Sequence, residues 1–310
     1  MKTVPIIVNP TAGGGRLVRS FMDLDAAAHQ CGVTLDWRHT EHRGHGSELA
    51  RQAADEGCPL VFAYGGDGTY NEVARGLLGS DTALGILPGG TTSVLAYEFG
   101  IPRPAPRAIE ALILGRDRCM RVGRTDRGEI FLLMLSSGPD VVVLEHLEDS
   151  VKKIGRAGVA LQALREFVRF RRMPSFEVVA GGETISGGWG IVGTSRCYAG
   201  PYHATPGANP FAPTFEVVVQ RSVGRRYAVP FALGLPFGRH VLRRDVWRQT
   251  VEEVEFRPLG GGHLRYQLDG DLAGELPVKA TVDPESLLIR LPGAAADPVL
   301  ARAAAPAPAG

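Results

Sequence analysis

Three glycine-bearing turns, each directly following a short apolar run, occupy the first third of this chain. The first reads Asn9-Pro10-Thr11-Ala12-Gly13-Gly14-Gly15-Arg16. The second reads Gly65-Gly66-Asp67-Gly68-Thr69-Tyr70-Asn71-Glu72, and the third Pro88-Gly89-Gly90-Thr91-Thr92. Around them, residues 4–8, 34–39, 60–63 and 83–87 read as buried strands. Residues 16–30, 47–56, 70–78, 92–99 and 106–114 read as helices, with Ser47 as an N-cap. Strands alternating with helices predict a parallel sheet covered on both faces, a doubly wound α/β nucleotide-binding domain over residues 1–120.

Beyond residue 120 the texture changes. Apolar runs at 130–135, 176–179, 185–192, 215–219, 251–256, 264–268, 278–282 and 287–291 are short and separated by turn residues. They predict an all-β second domain over 121–292, an antiparallel β-sandwich with a helical insertion at about 147–170. An Ala/Pro-rich tail over 293–310 is expected to be partly disordered.

In an open parallel sheet, ligands bind beyond the carboxyl ends of the strands. Glycine there lets backbone N–H groups approach a phosphate, and the next helix N-terminus favours its charge. One such turn is weak evidence, because surface loops use glycine freely; three in successive strand–helix units point to a nucleotide. Neither GxxxxGK[ST] nor a GxGxxG opening the first helix is present. Asp67 inside a phosphate loop is unfavourable without a cation, which suggests Mg²⁺ at Asp67.

The run Gly65-Gly66-Asp67-Gly68-Thr69 followed at once by Asn71-Glu72 resembles the diacylglycerol kinase catalytic family, which includes bacterial lipid kinases and the sphingosine and ceramide kinases. The likeness extends to the first and third turns, to Lys152-Lys153-Ile154-Gly155-Arg156, to residues 192–200, and to Tyr266-Gln267-Leu268-Asp269-Gly270-Asp271 with Pro277 soon after. It covers roughly residues 3–292. It implies a two-domain fold of the NAD kinase/diacylglycerol kinase type, with ATP on the first domain, Mg²⁺, and a lipid entering between domains. Carried over by position, Asn9, Pro10, Thr11, Gly13, Thr40, Gly65, Gly66, Asp67, Gly68, Thr69, Asn71, Glu72 and Thr91 match nucleotide-binding positions. Asp269 and Asp271 match the late acidic motif that supplies the general base, with Asp67 beside the reacting phosphates. The chemistry asks for such a base, since a lipid alcohol must lose its proton as the γ-phosphoryl transfers. Which of Asp269 and Asp271 serves stays open at this level, and Asp-Gly alone is a common hairpin turn.

Two departures stand out. Ser93-Val94 occupies positions where many members carry Asn-Asp, which removes a carboxylate. Residues 209–217 stand where bacterial members often bind a structural Mg²⁺ through aspartates, and no aspartate remains there, so that site is expected to be absent. An NAD kinase shares Gly65–Thr69, but its Asn-Glu pair lies much further along. An inactive lipid- or nucleotide-binding descendant is the other alternative, and the retention of Asp67, Thr69, Asp269 and Asp271 speaks against it.

The bulk numbers are those of an ordinary globular protein. The chain is 44% hydrophobic and 22% charged with a net charge of +1, so no global field recruits nucleic acid or an anionic membrane. Any attraction must be local, and residues 158–173 and 230–244 combine apolar and basic side chains. Cys31, Cys58, Cys119 and Cys197 show no CxxC pairing and read as small core residues, and the histidines read as surface groups. The opening apolar run is too short for a signal peptide, and no stretch approaches the ~20 apolar residues of a span. The expected setting is cytoplasmic, peripheral to the inner face of the membrane.

Overall fold

The computed structural model describes residues 2–10, 20–90, 92–145, 175–260 and 263–293. The chain forms two compact units, Met1–Met120 with the segment from Glu285 on, and Arg121–Pro284.

In the first unit, β1 (Lys2–Val8), β2 (Val33–His39), β3 (Leu60–Gly65) and β4 (Ala83–Pro88) form a parallel sheet in the order β2-β1-β3-β4. β3 and β4 are buried along their whole length, as strands covered on both faces must be. The helices between them are α1 (Phe21–Gln30), α2 (His45–Asp55), α3 (Asp67–Leu77), α4 (Val94–Glu98) and α5 (Ala105–Ile113). They pack chiefly in pairs, α1 on α5 and α2 on α3. α5 shows why: Ala105, Ala108, Ile109 and Leu112 recur at helical spacing and are all buried. The α/β class is as expected. Ser47, however, is not the N-cap of α2; Gly44 is, and no side chain of its own caps it.

β5 (Arg116–Thr125) carries the chain from the first unit into the second, where β6 (Ile130–Phe131), β7 (Met134–Ser137) and a short helix α6 (Pro139–Glu145) follow. After the undescribed residues come β8 (Phe176–Ala180), β9 (Glu183–Gly187), β10 (Trp189–Gly193), β11 (Cys197–Tyr198), β12 (Tyr202–His203) and β13 (Phe215–Gln220). Helix α7 (Arg225–Gly234) precedes β14 (Val246–Val251), β15 (Glu253–Pro258), β16 (Arg265–Leu268), β17 (Asp271–Glu275) and β18 (Val278–Leu291). One antiparallel sheet runs β14-β13-β10-β7-β16-β17; β15 pairs with β8 and with the first residues of β18, and β8 with β9. Phe131, Phe176, Phe215, Phe256, Tyr266 and their neighbours fill the core of this sandwich.

Apolar runs alone misplace several boundaries. The run at 185–192 is broken at Gly188, with β9 in one sheet and β10 in the other. The run at 251–256 breaks likewise at Glu252. Both are sheet changes, invisible to a hydrophobic pattern because both sheets bury the same kind of side chain. Conversely, 278–282 and 287–291 are one strand, β18, whose Ile289 pairs with Leu84 of β4. The second compact unit ends at Pro284, and the last residues of β18, into Leu291, belong to the first unit. Helix α7 holds Pro230 within it and overlaps the start of the apolar and basic 230–244 segment. The helical insertion expected at 147–170, including the 158–173 basic segment, lies outside the described residues, as does the tail from 294.

Candidate active site

The second and third glycine turns are locked to each other at the carboxyl ends of β3 and β4. The Gly65 carbonyl accepts N–H bonds from Gly89 (2.8 Å) and Gly90 (2.7 Å), and a third from the Tyr70 hydroxyl at 2.7 Å. The backbones approach so closely that a Cβ on Gly90 would lie 2.8 Å from the Gly66 Cα, which only glycine tolerates. Asp67 completes the lock. Its Oδ2 accepts from the Val94 N–H at 2.9 Å and its Oδ1 from the Leu95 N–H at 3.2 Å. The motif aspartate thus caps α4 from another turn, satisfying N–H groups that a helix start leaves without partners. Loss of water around it pushes its carboxyl above the ordinary value, while the two N–H bonds pull it back.

Asp67 is the residue expected beside a magnesium ion. Both carboxylate oxygens face backbone donors, and the described residues contain no group of three or more His, Cys, Asp or Glu placed to hold a metal. The Ser93-Val94 departure also gains a local meaning. Ser93, left-handed at φ 45°, is buried with its hydroxyl 3.2 Å from that of Tyr70, and Val94 is buried as well. Tyr70, fully buried, also donates to the Leu87 carbonyl at 3.1 Å, and burial pushes its phenol well up.

Other expected nucleotide residues fall in three groups. Gly65, Gly66, Gly68 and Thr69 form the turn into α3, whose first N–H groups are not used by intrahelical bonds. Asn9 and Pro10 follow β1, and Thr40 follows β2 with its N–H on the Val8 carbonyl at 3.0 Å, so all sit at the same end of adjacent parallel strands. Thr11, Gly13 and Thr91 lie outside the described residues. Asn71 and Glu72, by contrast, have structural partners. Asn71 accepts from Arg75 at 2.8 Å. Glu72 accepts from the Gly44 N–H at 3.1 Å and the Gly46 N–H at 3.2 Å, capping α2 in place of Ser47. Arg103, which the sequence did not single out, reaches the third turn through the Thr92 carbonyl at 3.3 Å and lies over the Tyr97 ring.

In the second unit, Asp269 and Gly270 form the two-residue turn between β16 and β17, both with positive φ (52° and 95°). The Asp269 carboxylate turns back onto the segment before β7. It accepts from the N–H groups of Leu132 (2.7 Å), Leu133 (2.8 Å) and Met134 (2.9 Å). The same segment is held from its other side, with Thr194 Oγ1 donating to the Leu132 carbonyl at 2.7 Å and Ser195 Oγ at 3.2 Å. With three N–H donors shared between its two oxygens, Asp269 clasps this segment. Asp271 opens β17, is exposed, and has no side-chain partner recorded among the described residues.

A buried chain of hydrogen bonds that sequence reading missed supports this turn. Gly270 N–H donates to Gln267 Oε1 and Gln267 Nε2 to Ser136 Oγ, each at 2.6 Å, and Ser136 Oγ donates to Asp140 Oδ2. Asp140 is buried in α6 with Oδ1 unpartnered, and burial pushes its carboxyl up to about 6. No signal in a single sequence links residues 136, 140 and 267. In the 209–217 stretch, Glu216 accepts from the Gly207 N–H at 2.6 Å and lies 3.6 Å from the Arg248 guanidinium. Cys119 is exposed, unlike the core role expected for it.

With this geometry established, comparison with known proteins is informative. The family model described as the diacylglycerol kinase catalytic domain matches residues 3–125. That of the YegS C-terminal NAD kinase beta sandwich-like domain matches 134–291. A diacylglycerol kinase of Mycobacterium tuberculosis is 26% identical over 296 residues, covering 93% of this chain and 95% of that one. A diacylglycerol kinase of Bacillus subtilis is 24% identical over 283 residues, covering 89% and 92%. A crystal structure of a diacylglycerol kinase from Bacillus anthracis superposes with a TM-score of 0.70 at 18% identity, over 94% of this chain and 98% of that chain.

Proposed function

Because the chain belongs to the diacylglycerol kinase family of lipid kinases, we propose that it transfers the γ-phosphoryl group of ATP to a hydroxyl of a diacylglycerol-like or sphingoid/ceramide-like lipid. In this reading the N–H groups of the Gly66–Thr69 turn take the phosphate oxygens at the N-terminus of α3. Asp67 keeps that turn and the Gly89–Gly90 turn in register. Magnesium accompanying the nucleotide is left to phosphates and water, since Asp67 is otherwise engaged.

The observation that carries the assignment of the base is the division of labour in one hairpin turn. Asp269 is fixed by three N–H bonds, whereas Asp271 is exposed with its carboxylate uncommitted. Asp271 accepts the proton of the lipid hydroxyl, the freed oxygen bonds to the γ-phosphorus, and the bond from that phosphorus to the bridging oxygen of ADP breaks. ADP leaves with the bridging oxygen.

The test is phosphate transfer from labelled ATP to a lipid panel in mixed micelles, starting with diacylglycerol, the lipid in the names of two relatives. One lipid class should be labelled by the native chain and not by Asp271→Asn. Labelling of NAD instead of lipid, or ATP binding without any transfer, would overturn the reading. No helix among the described residues is long and apolar enough to cross a membrane. The proposed setting is peripheral, at the inner face of the membrane.

A further inference from the structure

Exposed apolar side chains are unevenly distributed in this molecule. Of the nine large hydrophobics exposed among the described residues, five (Val223, Val229, Leu233, Phe237 and Leu242) lie within one stretch of the second unit. That stretch runs from just before α7 through the two single 3-10 turns that follow it, Leu235–Phe237 and His240–Leu242. A sixth, Tyr202, belongs to β12, which packs against the first of those turns.

The segment folds as one module with two different faces. Ala228, Phe231, Leu235 and His240 are buried. The Phe231 ring lies 5.0 Å from those of both Trp189 and His240, and His240 Nε2 is 2.8 Å from the Ala204 carbonyl. A Cβ on Gly234 would meet the His240 backbone nitrogen at 2.7 Å, so the helix end and the second turn are pressed together. The inward stripe is therefore packed into the second unit. Val229 and Leu233, one helical turn apart, and then Phe237 and Leu242 face out at 42%, 68%, 76% and 77% exposure.

Charge follows the same face. Residues 221–244 contain six arginines and no aspartate or glutamate; with a net charge of +1 for the whole chain, the remaining residues sum to −5. Arg225, Arg226, Arg239 and Arg244 are exposed with no carboxylate partner recorded among the described residues, whereas Arg243 is neutralised by Asp245 at 2.8 Å. An exposed apolar stripe ringed by unpaired guanidinium groups suits the boundary of an anionic bilayer, where the stripe enters the acyl region and the cations meet headgroup phosphates. A second copy of this chain would bring like charges together.

We propose that α7 and the turns through Leu242 form a surface that docks on an anionic lipid bilayer. It deepens the lipid-kinase reading and rests on it for its purpose, since an acyl substrate resides in such a bilayer. Its test does not depend on that reading. The full chain is sedimented with vesicles of phosphatidylcholine alone and with phosphatidylglycerol added, at low and high salt. The comparison set is Leu233→Ser/Phe237→Ser/Leu242→Ser and Arg239→Glu/Arg244→Glu. The native chain should sediment with anionic vesicles only, less at high salt, and each variant should lose about tenfold or more of that binding. Thermal unfolding midpoints of both variants should match that of the native chain, showing that they fold. Native failure to bind, variants that bind as the native chain does, or a native dimer in buffer that the apolar variant dissolves would each overturn the surface. Vesicle binding lost in the variants, with no lipid labelled by any form, would support the surface and sink the kinase reading instead.

Discussion

The two motif aspartates, one in each unit, do the same kind of work in different surroundings. Asp67 holds two backbone N–H groups at the start of α4, and Asp269 holds three in the segment before β7. In both, a carboxylate on a glycine-bearing turn fastens a second turn that the sheet would leave loose. The difference lies in what stands beside each. Asp67 opens a helix whose first N–H groups have no intrahelical partner, suited to an anion, whereas Asp269 is followed two residues later by an exposed carboxylate suited to a proton. Placement of a motif residue therefore reveals little until its hydrogen bonds are known. In each motif the aspartate that holds backbone N–H groups shapes the chain, and its neighbours are left for a ligand in the proposed reading.

This comparison breaks most sharply at Asp269. Asp269→Ala strands three N–H groups, and at about 1–3 kcal/mol for each donor left unsatisfied, discounted for partial exposure, it should destabilise the chain by about 3–6 kcal/mol. Denaturant unfolding measures this directly. A loss of activity with unchanged stability would mean that Asp269 is the base and not the clasp.

Asp271→Asn is the converse case. With no partner to lose, its stability should stay within about 0.5 kcal/mol of the native chain. Lipid phosphorylation should fall about 10²–10⁴-fold, the ordinary worth of a general base. Equal activity would remove Asp271 from the mechanism. Asp67→Ala comes third, with two donors stranded and about 2–4 kcal/mol expected in unfolding. ATP affinity should fall with it, measured by calorimetry at a temperature where the variant is still folded. Retained ATP affinity would show that the two turns keep their register without the clasp.

Much of this was legible beforehand, and the reasons for the rest are specific. The α/β unit announced itself because β3 and β4 are apolar throughout and each runs directly into a glycine turn. The turn at Asp269-Gly270 was readable because few dipeptides accept two positive φ values. What escaped was long-range. Glu72 caps α2 across 26 and 28 residues, and Gln267 reaches Ser136 across 131. Hydrogen bonds of that reach leave no periodicity in the chain. The sheet changes at Gly188 and Glu252 escaped because burial in either sheet asks for the same side chains.

Asp140 sharpens the comparison with the smallest effect, and does so through pH. Its carboxyl is raised by burial to about 6 from an ordinary 3.8, so between those values the folded chain binds more protons than the unfolded chain. The stability it contributes is then present below about pH 4 and lost as pH rises through about 6. A two-unit shift amounts to about 3 kcal/mol at most. Asp140→Asn should flatten this part of the stability curve between pH 4 and 6, while costing no more than about 1–2 kcal/mol at low pH, because an amide oxygen can still accept from Ser136. Asp67, raised in the same direction, stays in the variant, so the slope is reduced and not abolished. Unfolding free energies across this window measure it. An unchanged slope would mean that Asp140 is already ionised well below pH 6, its Oδ1 compensated by water, and that the chain from Ser136 through Gln267 to Gly270 supports the turn without sensing the charge at its far end.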